Sequence, residues 1–278
     1  MNDQALHARN PLFDASMLGL CLLFAGALGA LGLSGDWYYG FIPAQGASLV
    51  LPAVFWESLT TLGDGRIQLA LVLPFCLRYP RVFWALFLGS ILAAMISRGV
   101  KVWFPMPRPA AVLDASQITI IGARLTAHSF PSGHTVSAFS FVVAWLALLG
   151  WWRALPIVVL AALAGFSRIA VGAHWPVDVL AGALIGIAGG WAGLRLSRHF
   201  RWGLGVRAHW TLIGAAVIAV ATLPFDGQGY PDSLPWRIVA CLWGLGGFVL
   251  VYLLPLLRHG WQAVNRPLAG LAAEPRAI

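Results

Sequence analysis

Long apolar runs are the feature that most restricts what this chain can fold into. A helix needs about 20 mostly apolar residues to cross the hydrocarbon core of a bilayer, and the sequence contains a series of such runs. We predict eight membrane-spanning helices, at residues 15–34, 60–77, 82–103, 134–151, 154–171, 178–195, 210–224 and 237–257. The second is the weakest, because it is short and contains Pro74. The predicted fold class is therefore an all-α, polytopic membrane helix bundle.

The composition excludes an ordinary soluble domain. Hydrophobic residues make up 59% of the chain and charged residues only 10%, whereas soluble domains have about 25% charged residues. The net charge of +8 could serve nucleic-acid binding, but the basic residues are dispersed between apolar runs and form no basic patch. We therefore expect the lipid bilayer, and not nucleic acid, as a partner.

The distribution of charge gives the direction of the helices, because lysine and arginine accumulate in cytoplasmic loops. With the N-terminus inside, most of the 18 basic residues fall on the inner side. The inner residues are Arg9, Arg78, Arg81, Arg153, Arg195, Arg198, Arg201, Arg207, Arg258, Arg266 and Arg276, and the outer ones are Arg66, Arg98, Lys101, Arg108, Arg124, Arg168 and Arg237. We predict both chain ends inside, and a surface-lying or re-entrant segment at residues 38–56.

Two cations lie close together at the outer end of the third predicted span. The stretch "KVWFPMPRP" places Lys101 and Arg108 seven residues apart, and its three prolines stiffen the backbone. Such a pair alone is typical of an anchor for anionic lipid headgroups. It also provides two fixed positive charges for a phosphate.

A polar entry to the fourth span is the second candidate. In "HSFPSGHTVSAFS", Ser132 suits an N-cap position and Gly133 lets a ligand approach the backbone closely. The free N–H groups and the positive dipole end of a helix start attract anions. His134 follows directly, either as a site residue or as an ordinary interfacial histidine.

The third candidate, "SRIAVGAHWPVD", returns to the same membrane face after two crossings. Arg168 lies near the end of the fifth span, Pro176 suits the first turn of the sixth, and Asp178 comes four residues after His174. At that spacing on a helical turn the carboxylate can reach and orient the imidazole. A self-satisfied interfacial charge cluster is the alternative, but ionisable residues at membrane depth are costly and indicate function.

The three segments together predict phosphate chemistry. Three cations and helix-start amides can neutralise a tetrahedral oxyanion, and arginine grips phosphate in a bidentate way. One histidine, deprotonated and aligned by a carboxylate, can attack phosphorus while the other protonates the departing oxygen. A metal site made from His134, His174 and Asp178 is an alternative use of the same residues.

These segments resemble the three-part signature of the type-2 phosphatidic acid phosphatase superfamily, which is Lys-x6-Arg-Pro, Pro-Ser-Gly-His and Ser-Arg-x5-His-x3-Asp. Every fixed position is matched in order. The resemblance implies a phosphatase that uses no metal or other cofactor and works through a phosphohistidine. The catalytic residues it implies are His174 as nucleophile, Asp178 as its orienting partner and His134 as general acid, and the phosphate-binding residues are Lys101, Arg108, Ser132, Gly133 and Arg168, assisted by Ser167.

The resemblance also divides the chain into three parts. Residues 1–59 are expected to form an N-terminal anchor helix and an outer surface segment, residues 60–195 the phosphatase core, and residues 196–278 two additional transmembrane helices with a short cytoplasmic tail. Family members of this type commonly have six core helices. The expected fold is thus a six-helix phosphatase core plus two C-terminal transmembrane helices.

The position of the motifs at the membrane edge favours a substrate whose tail stays in the bilayer. Family relatives act on undecaprenyl pyrophosphate, phosphatidylglycerol phosphate, phosphatidate and lipid A, so we expect hydrolysis of a phosphomonoester or pyrophosphate of such a lipid. The expected location is a bacterial inner membrane, with the site facing the periplasm. A lipid phosphotransferase and a non-enzymatic lipid-phosphate binder or transporter are the alternatives, and the preferred lipid and the oligomeric state are left open.

Overall fold

The computed structural model describes residues 10–273, apart from the side chains of residue 267 and residues 269–273. This range is helical and contains no β-strand, which confirms the all-α class. Arg9 and Arg276, both counted in the prediction of direction, lie outside the described residues. The helices are α1 (Pro11–Ser34), α2 (Phe41–Ser48), α3 (Ala53–Thr61), α4 (Gly65–Val72), α5 (Pro80–Trp103), α6 (Pro109–Val112), α7 (Gly133–Leu149), α8 (Trp151–Ala170), α9 (Pro176–His199), α10 (Val206–Ala221), α11 (Leu234–Phe248) and α12 (Leu254–Ala273).

Several of these helices are suited to a bilayer. Within the described residues, five helical stretches are long and apolar enough to cross a membrane, namely Pro11–Ser34, Pro80–Trp103, Trp151–Ala170, Pro176–His199 and Pro231–Arg266. Three shorter apolar helices accompany them, at Gly65–Phe75, Gly133–Leu149 and Val206–Ala221. The chain is thus an integral membrane protein with a polytopic helix bundle, as predicted.

Residues 60–77 differ from the single crossing predicted there. α3 ends at Thr61, and α4 starts after Asp64, whose carboxylate accepts a hydrogen bond from the backbone N–H of Arg66 at 2.9 Å. Pro74 lies in a 3₁₀ turn that ends the helical segment. At about 1.5 Å per residue, the segment from residue 65 to residue 75 is roughly 16 Å long, which is about half of the hydrocarbon core. The Gly63-Asp64-Gly65 sequence thus interrupts the helix that the apolar composition of residues 60–77 predicted.

The core bundle consists of α5, α7, α8 and α9, with α9 in direct contact with the other three. Glycines on α9 allow this contact. A Cβ atom on Gly186 would lie 2.6 Å from the carbonyl oxygen of Val136, and one on Gly190 would lie 2.9 Å from that of Ser140. Backbone therefore meets backbone between α9 and α7, so the first turns of the two helices are held in a fixed relation.

α1 lies against the other end of α9. The Trp191 indole N–H donates to the Asp14 carboxylate at 2.6 Å, and Arg195 forms an ion pair with the same carboxylate at 3.2 Å. Asp14 is in the first turn of α1, where a carboxylate is also favoured by the helix dipole. The predicted N-terminal anchor helix is therefore attached to the core.

The C-terminal unit consists of α10, α11 and α12, and its first two helices pack against α4. A π-helical segment at Val249–Leu253 joins α11 to α12, which bends at Gly260. Beyond this bend, Trp261 stacks on Trp210 with ring centroids 5.3 Å apart, and Asn265 accepts a hydrogen bond from the Trp210 indole at 2.7 Å. The predicted cytoplasmic tail is thus helical in its described part and packs onto α10.

Candidate active site

The three sequence motifs meet at one end of the core bundle, here called the motif end. It comprises the last turn of α5, the first turn of α7, the last turn of α8 and the first turn of α9, together with the segment between α5 and α7. α5 and α8 end here whereas α7 and α9 begin here, so residues far apart in the sequence become neighbours. The three motifs thus lie at the same end of the bundle, as the count of membrane crossings predicted.

His174 and Asp178 form the pair predicted from their spacing. The His174 Nδ1 lies 3.1 Å from the Asp178 Oδ2, and both side chains are buried. On its other side, His174 Nε2 lies 3.2 Å from the Nη1 of Arg108. Arginine can only donate, so Nε2 must carry the lone pair and Nδ1 the proton. The imidazole is neutral in this arrangement, and its Nε2 lone pair faces the Arg108 guanidinium.

Asp178 connects several parts of the site. Its Oδ2 also accepts hydrogen bonds from the Ser129 hydroxyl and from the backbone N–H of Trp175, the latter at 2.9 Å. Its own backbone carbonyl accepts the N–H of Ser132 at 3.0 Å. The local sequence explains this position: Trp175 is the N-cap of α9, and Pro176 occupies the first helical position as predicted. Asp178 therefore fixes the imidazole and joins the starts of α7 and α9.

The two cations of the first motif are held by backbone carbonyls. Lys101 Nζ donates to the carbonyl oxygen of His128 at 2.8 Å. Arg108 Nε donates to Ala127 at 2.8 Å, and its Nη1 to Ala173 at 2.9 Å. Burial and the nearby Arg168 lower the pKa of Arg108 to about 10, so it is still charged at neutral pH. These acceptors are neutral, so they hold the two side chains in place without cancelling their positive charges.

Arg168 is the most enclosed of the cations, with 2% of its surface exposed. Its Nη1 donates to the Thr60 hydroxyl at 2.5 Å and to the Tyr230 hydroxyl at 2.8 Å. Its Nε is buried and has no hydrogen-bond partner within the described part of the chain. Because a buried unpaired donor is costly, this N–H marks a position where an anion would be bound.

The electrostatics of the site favour a neutral His174. Its pKa lies well below the ordinary value, first because of burial and then because of neighbouring positive groups. These groups are Arg108, Arg168, Lys101 and His134. An unprotonated nitrogen is therefore available for attack at neutral pH.

The three residues of the second motif, Ser132, Gly133 and His134, differ in their surroundings. His134 lies in the first turn of α7 and is half-buried beside Gly63, where a Cβ atom would come within 2.6 Å of the histidine Cβ. Ser132 is the N-cap as predicted, but its N–H is bound to Asp178 and its hydroxyl accepts from Thr135 at 2.9 Å. Gly133 opens the helix with no atom within 4 Å of a built Cβ, which leaves its backbone accessible.

Ser167 makes a hydrogen bond within its own helix. Its hydroxyl donates to the carbonyl oxygen of Ala164, one turn earlier in α8, at 2.7 Å. A serine in a helix often makes this bond to its own backbone. The assisting role that the family resemblance implies for Ser167 stays a prediction.

Three residues of the site have no counterpart among the predicted ones. Ser129 bonds to Asp178, and Thr60 and Tyr230 bond to Arg168. Ser129 could have been suspected from the sequence, because it lies three residues before Ser132 of the second motif. Thr60 lies 108 positions and Tyr230 lies 62 positions from Arg168, and neither belongs to a recognisable pattern.

The side chains of the site do not suit a metal ion. Among residues 10–273, no three histidine, cysteine, aspartate or glutamate side chains are arranged to hold one. Cations surround His174, and its Nε2 already faces Arg108. The alternative of a metal site made from His134, His174 and Asp178 therefore has no geometric support.

The structure thus places an oriented, neutral histidine among three cations at the end of a membrane helix bundle, an arrangement that suits a phosphate group. Residues 82–202 match the model of the PAP2 superfamily. That segment contains all three motifs, and its match to the superfamily confirms the family resemblance.

Known proteins show the same relationship over part of their length. The chain is 43% identical over 76 residues to undecaprenyl-diphosphatase BcrC of Bacillus subtilis (strain 168), covering 26% of this chain and 37% of that protein. It is 29% identical over 101 residues to an undecaprenyl-diphosphatase of Sulfolobus acidocaldarius, covering 36% and 48%. The chain thus spans between a third and a half of the length of these curated relatives. Among solved structures, Aquifex aeolicus LpxE matches with a TM-score of 0.48 and 30% identity, over 51% of this chain and 85% of that one.

Proposed function

We propose that this protein hydrolyses the terminal phosphate of a polyprenyl diphosphate lipid, undecaprenyl pyrophosphate, through a phosphohistidine on His174. The observation that carries the proposal is the position of the His174 imidazole between the Asp178 carboxylate and the Arg108 guanidinium. An oriented nucleophile of this kind has no use in a protein that only binds or transports a lipid phosphate. The proposal therefore favours an enzyme over a binder.

The first chemical step transfers the phosphoryl group to the protein. The lone pair on His174 Nε2 attacks the terminal phosphorus, and the bond from phosphorus to the bridging oxygen breaks. His134 gives its proton to that oxygen, which leaves with undecaprenyl phosphate. Asp178 accepts a hydrogen bond from the His174 Nδ1–H throughout this step and stabilises the positive charge that develops on the imidazole.

The second step releases the phosphate. His134, now neutral, takes a proton from water, the water oxygen attacks phosphorus, and the N–P bond breaks to give inorganic phosphate and free His174. The three cations Lys101, Arg108 and Arg168 neutralise the equatorial oxygens in both steps, with the Gly133 amide as a further donor. Positioning and charge neutralisation are the main requirements of phosphoryl transfer, and this site provides both.

An apolar groove beside the site supports a lipid substrate. A cavity of about 680 Å³ runs between α4, α5, α7 and α10. Its polar residues include Asp64 and Arg66, next to the Gly63 that contacts His134, and Ser137 follows His134 by one turn. The rest of the lining is mostly apolar. The leaving oxygen must lie beside the general acid, so a tail attached to it is well placed to enter this groove.

The identity of the lipid is proposed from the relatives. Two of the proteins that match this chain are undecaprenyl-diphosphatases. The excess of arginine at the opposite end of the bundle follows the positive-inside rule. We therefore place the protein in a bacterial inner membrane with the motif end at the periplasmic side.

The test is phosphate release by the purified protein, in detergent with a chelator present, from undecaprenyl pyrophosphate, phosphatidylglycerol phosphate, phosphatidate and lipid A, each supplied alone. We expect the highest kcat/KM for undecaprenyl pyrophosphate. His174→Ala should lower release by more than about 10³-fold while vanadate still binds. His199→Ala, an exposed histidine at the other end of α9, is the matched control.

Two results would count against the proposal. Turnover by His174→Ala close to the wild-type rate would remove His174 as nucleophile. Lipid consumption without release of inorganic phosphate, when one lipid and water are the sole acceptors, would favour a phosphotransferase instead.

A further inference from the structure

Arg168 is held by hydroxyl groups from two segments outside the matched stretch 82–202. One is Thr60, at the end of α3, and the other is Tyr230, between α10 and α11. We propose that Tyr230, together with Thr60, is a positioning residue that fixes Arg168 in the orientation needed to bind the transferred phosphoryl group. This inference rests on the proposed phosphatase function and gives the additional C-terminal helices a part in it.

The hydrogen bonds define which edge of the guanidinium is left for substrate. Nη1 carries two N–H groups, and the two hydroxyls accept from this nitrogen at 2.5 and 2.8 Å. The Nε–H is buried and unpaired within the described residues. Arginine grips an oxyanion best with two parallel N–H groups, so the edge that contains Nε is the one presented to phosphate.

The chemical nature of the two partners matters as much as their position. Within the described part of the chain, no carboxylate forms an ion pair with Arg168; the hydroxyls are neutral, and the Tyr230 ring lies 5.4 Å from the guanidinium carbon. A cation over an aromatic face is stabilised without loss of its charge. The arrangement therefore holds Arg168 in place and keeps its full charge for the substrate.

The segment that carries Tyr230 is itself fixed at several points. Asp226 pairs with Arg66 at 3.1 Å, Gln228 donates to Asp64 at 3.2 Å, and the backbone N–H of Asp232 donates to Glu57 at 2.9 Å. Tyr230 is 3% exposed. Side chains from α3 and α4 thus hold the segment against the motif end, and the tyrosine hydroxyl is delivered to one place.

The experiment compares Tyr230→Phe and Thr60→Val with Tyr252→Phe. Each of the three substitutions removes one buried hydroxyl, but that of Tyr252 bonds to His209 within the C-terminal unit at 3.0 Å. We expect Tyr230→Phe to lower kcat/KM for undecaprenyl pyrophosphate roughly tenfold, as for a lost hydrogen bond to a charged group, and to weaken inhibition by vanadate similarly. Tyr252→Phe should match the wild type in both, and thermal unfolding should show all variants folded.

Coupling to Arg168 separates positioning from a merely structural role. In an Arg168→Lys background, Tyr230→Phe should have no further effect on vanadate inhibition or kcat/KM, because the group through which it acts is gone. An equal loss in both backgrounds, or a Tyr230→Phe variant that behaves like Tyr252→Phe, would overturn the positioning role. A wild-type protein that neither releases phosphate from a lipid nor binds vanadate would instead overturn the proposed function, and the positioning role with it.

Discussion

The core bundle and the C-terminal unit differ in how their helices meet. In the core, the glycines of α9 bring its backbone against α5 and α7, with no space for even a methyl group at Gly186. In the C-terminal unit, α10 stands away from α5, and the groove of about 680 Å³ lies between them. The difference indicates that close contact holds the reactive groups, whereas the looser side leaves room for a lipid tail.

The two regions also differ in what they supply to the site. The groups proposed to react or to bind phosphate come from the segment between Lys101 and Asp178, within the core. The C-terminal unit supplies the wall of the groove and the Tyr230 hydroxyl. Changes in the core should therefore affect catalysis or folding, and changes in α10 should affect which lipid is used.

The largest effect is expected from the core residue Asp178. Asp178→Asn should lower kcat for phosphate release roughly 10²- to 10⁴-fold, because the amide no longer fixes the His174 tautomer or stabilises its positive charge. Asp114→Asn, an exposed aspartate in the segment after α6, is the matched control. Steady-state kinetics with undecaprenyl pyrophosphate measures both, and a decrease of the same size in the control would remove the special role of Asp178.

A smaller, selective effect is expected from α10. Ala215 lines the groove, so Ala215→Trp should raise KM for a long-chain polyprenyl diphosphate roughly tenfold and leave a short-chain diphosphate unaffected. Ile218→Trp is the control, since Ile218 is 71% exposed on the same helix and does not line the groove. Equal loss with both chain lengths would show that the groove does not bind the tail.

Stability should separate the two kinds of packing. Gly186→Ala would place a Cβ 2.6 Å from a backbone oxygen of α7 and should lower the free energy of unfolding by about 1–3 kcal/mol. Gly214→Ala in α10 has no atom within 4 Å and should raise it by up to about 1 kcal/mol. Thermal unfolding in detergent compares them, and two equal shifts would contradict the contrast between the regions.

The smallest expected effect is a displacement of the pH profile. Because the pKa of His174 is lowered by burial and by nearby cations, the imidazole stays neutral to lower pH than a free histidine, and the acid limb of kcat/KM should lie below pH 6.5, the ordinary value. Lys101→Gln removes one of these charges and should move the limb to higher pH. The groups around the imidazole are Lys101, Arg108, His134, Arg168 and Asp178. An acid limb at or above pH 6.5 in the wild type would mean that these charges do not act on His174.

The central pair of the site can be predicted from the sequence because it depends on the spacing of neighbouring residues. The four-residue spacing of His174 and Asp178 and the position of Pro176 follow from helix geometry, and the structure has both. The bond from Tyr230 to Arg168 depends on how α10 and α11 return to the motif end. No periodicity or spacing encodes such a contact.

The predicted spans show the same limit for the fold. Apolar composition identifies the long helices, but it also predicts one crossing at residues 60–77. In the structure, α3 ends at Thr61 and α4 begins after Asp64. The helix after Gly260 is absent from the prediction because its apolar run is too short for a membrane span and contains Asn265, Arg266 and Pro267. Its support comes from contacts with Trp210. Tertiary contacts decide both cases.

Two of the hydrogen bonds of Asp178 have a consequence for protein engineering. Its side chain holds His174, and its main-chain carbonyl accepts from the N–H of Ser132, two residues before His134. Transfer of only the α7 segment or only the α9 segment into another scaffold would separate the attacking nitrogen of His174 from its proposed proton donor, His134. Chimaeras between relatives should therefore exchange α7, α8 and α9 as one block, with both connecting loops included.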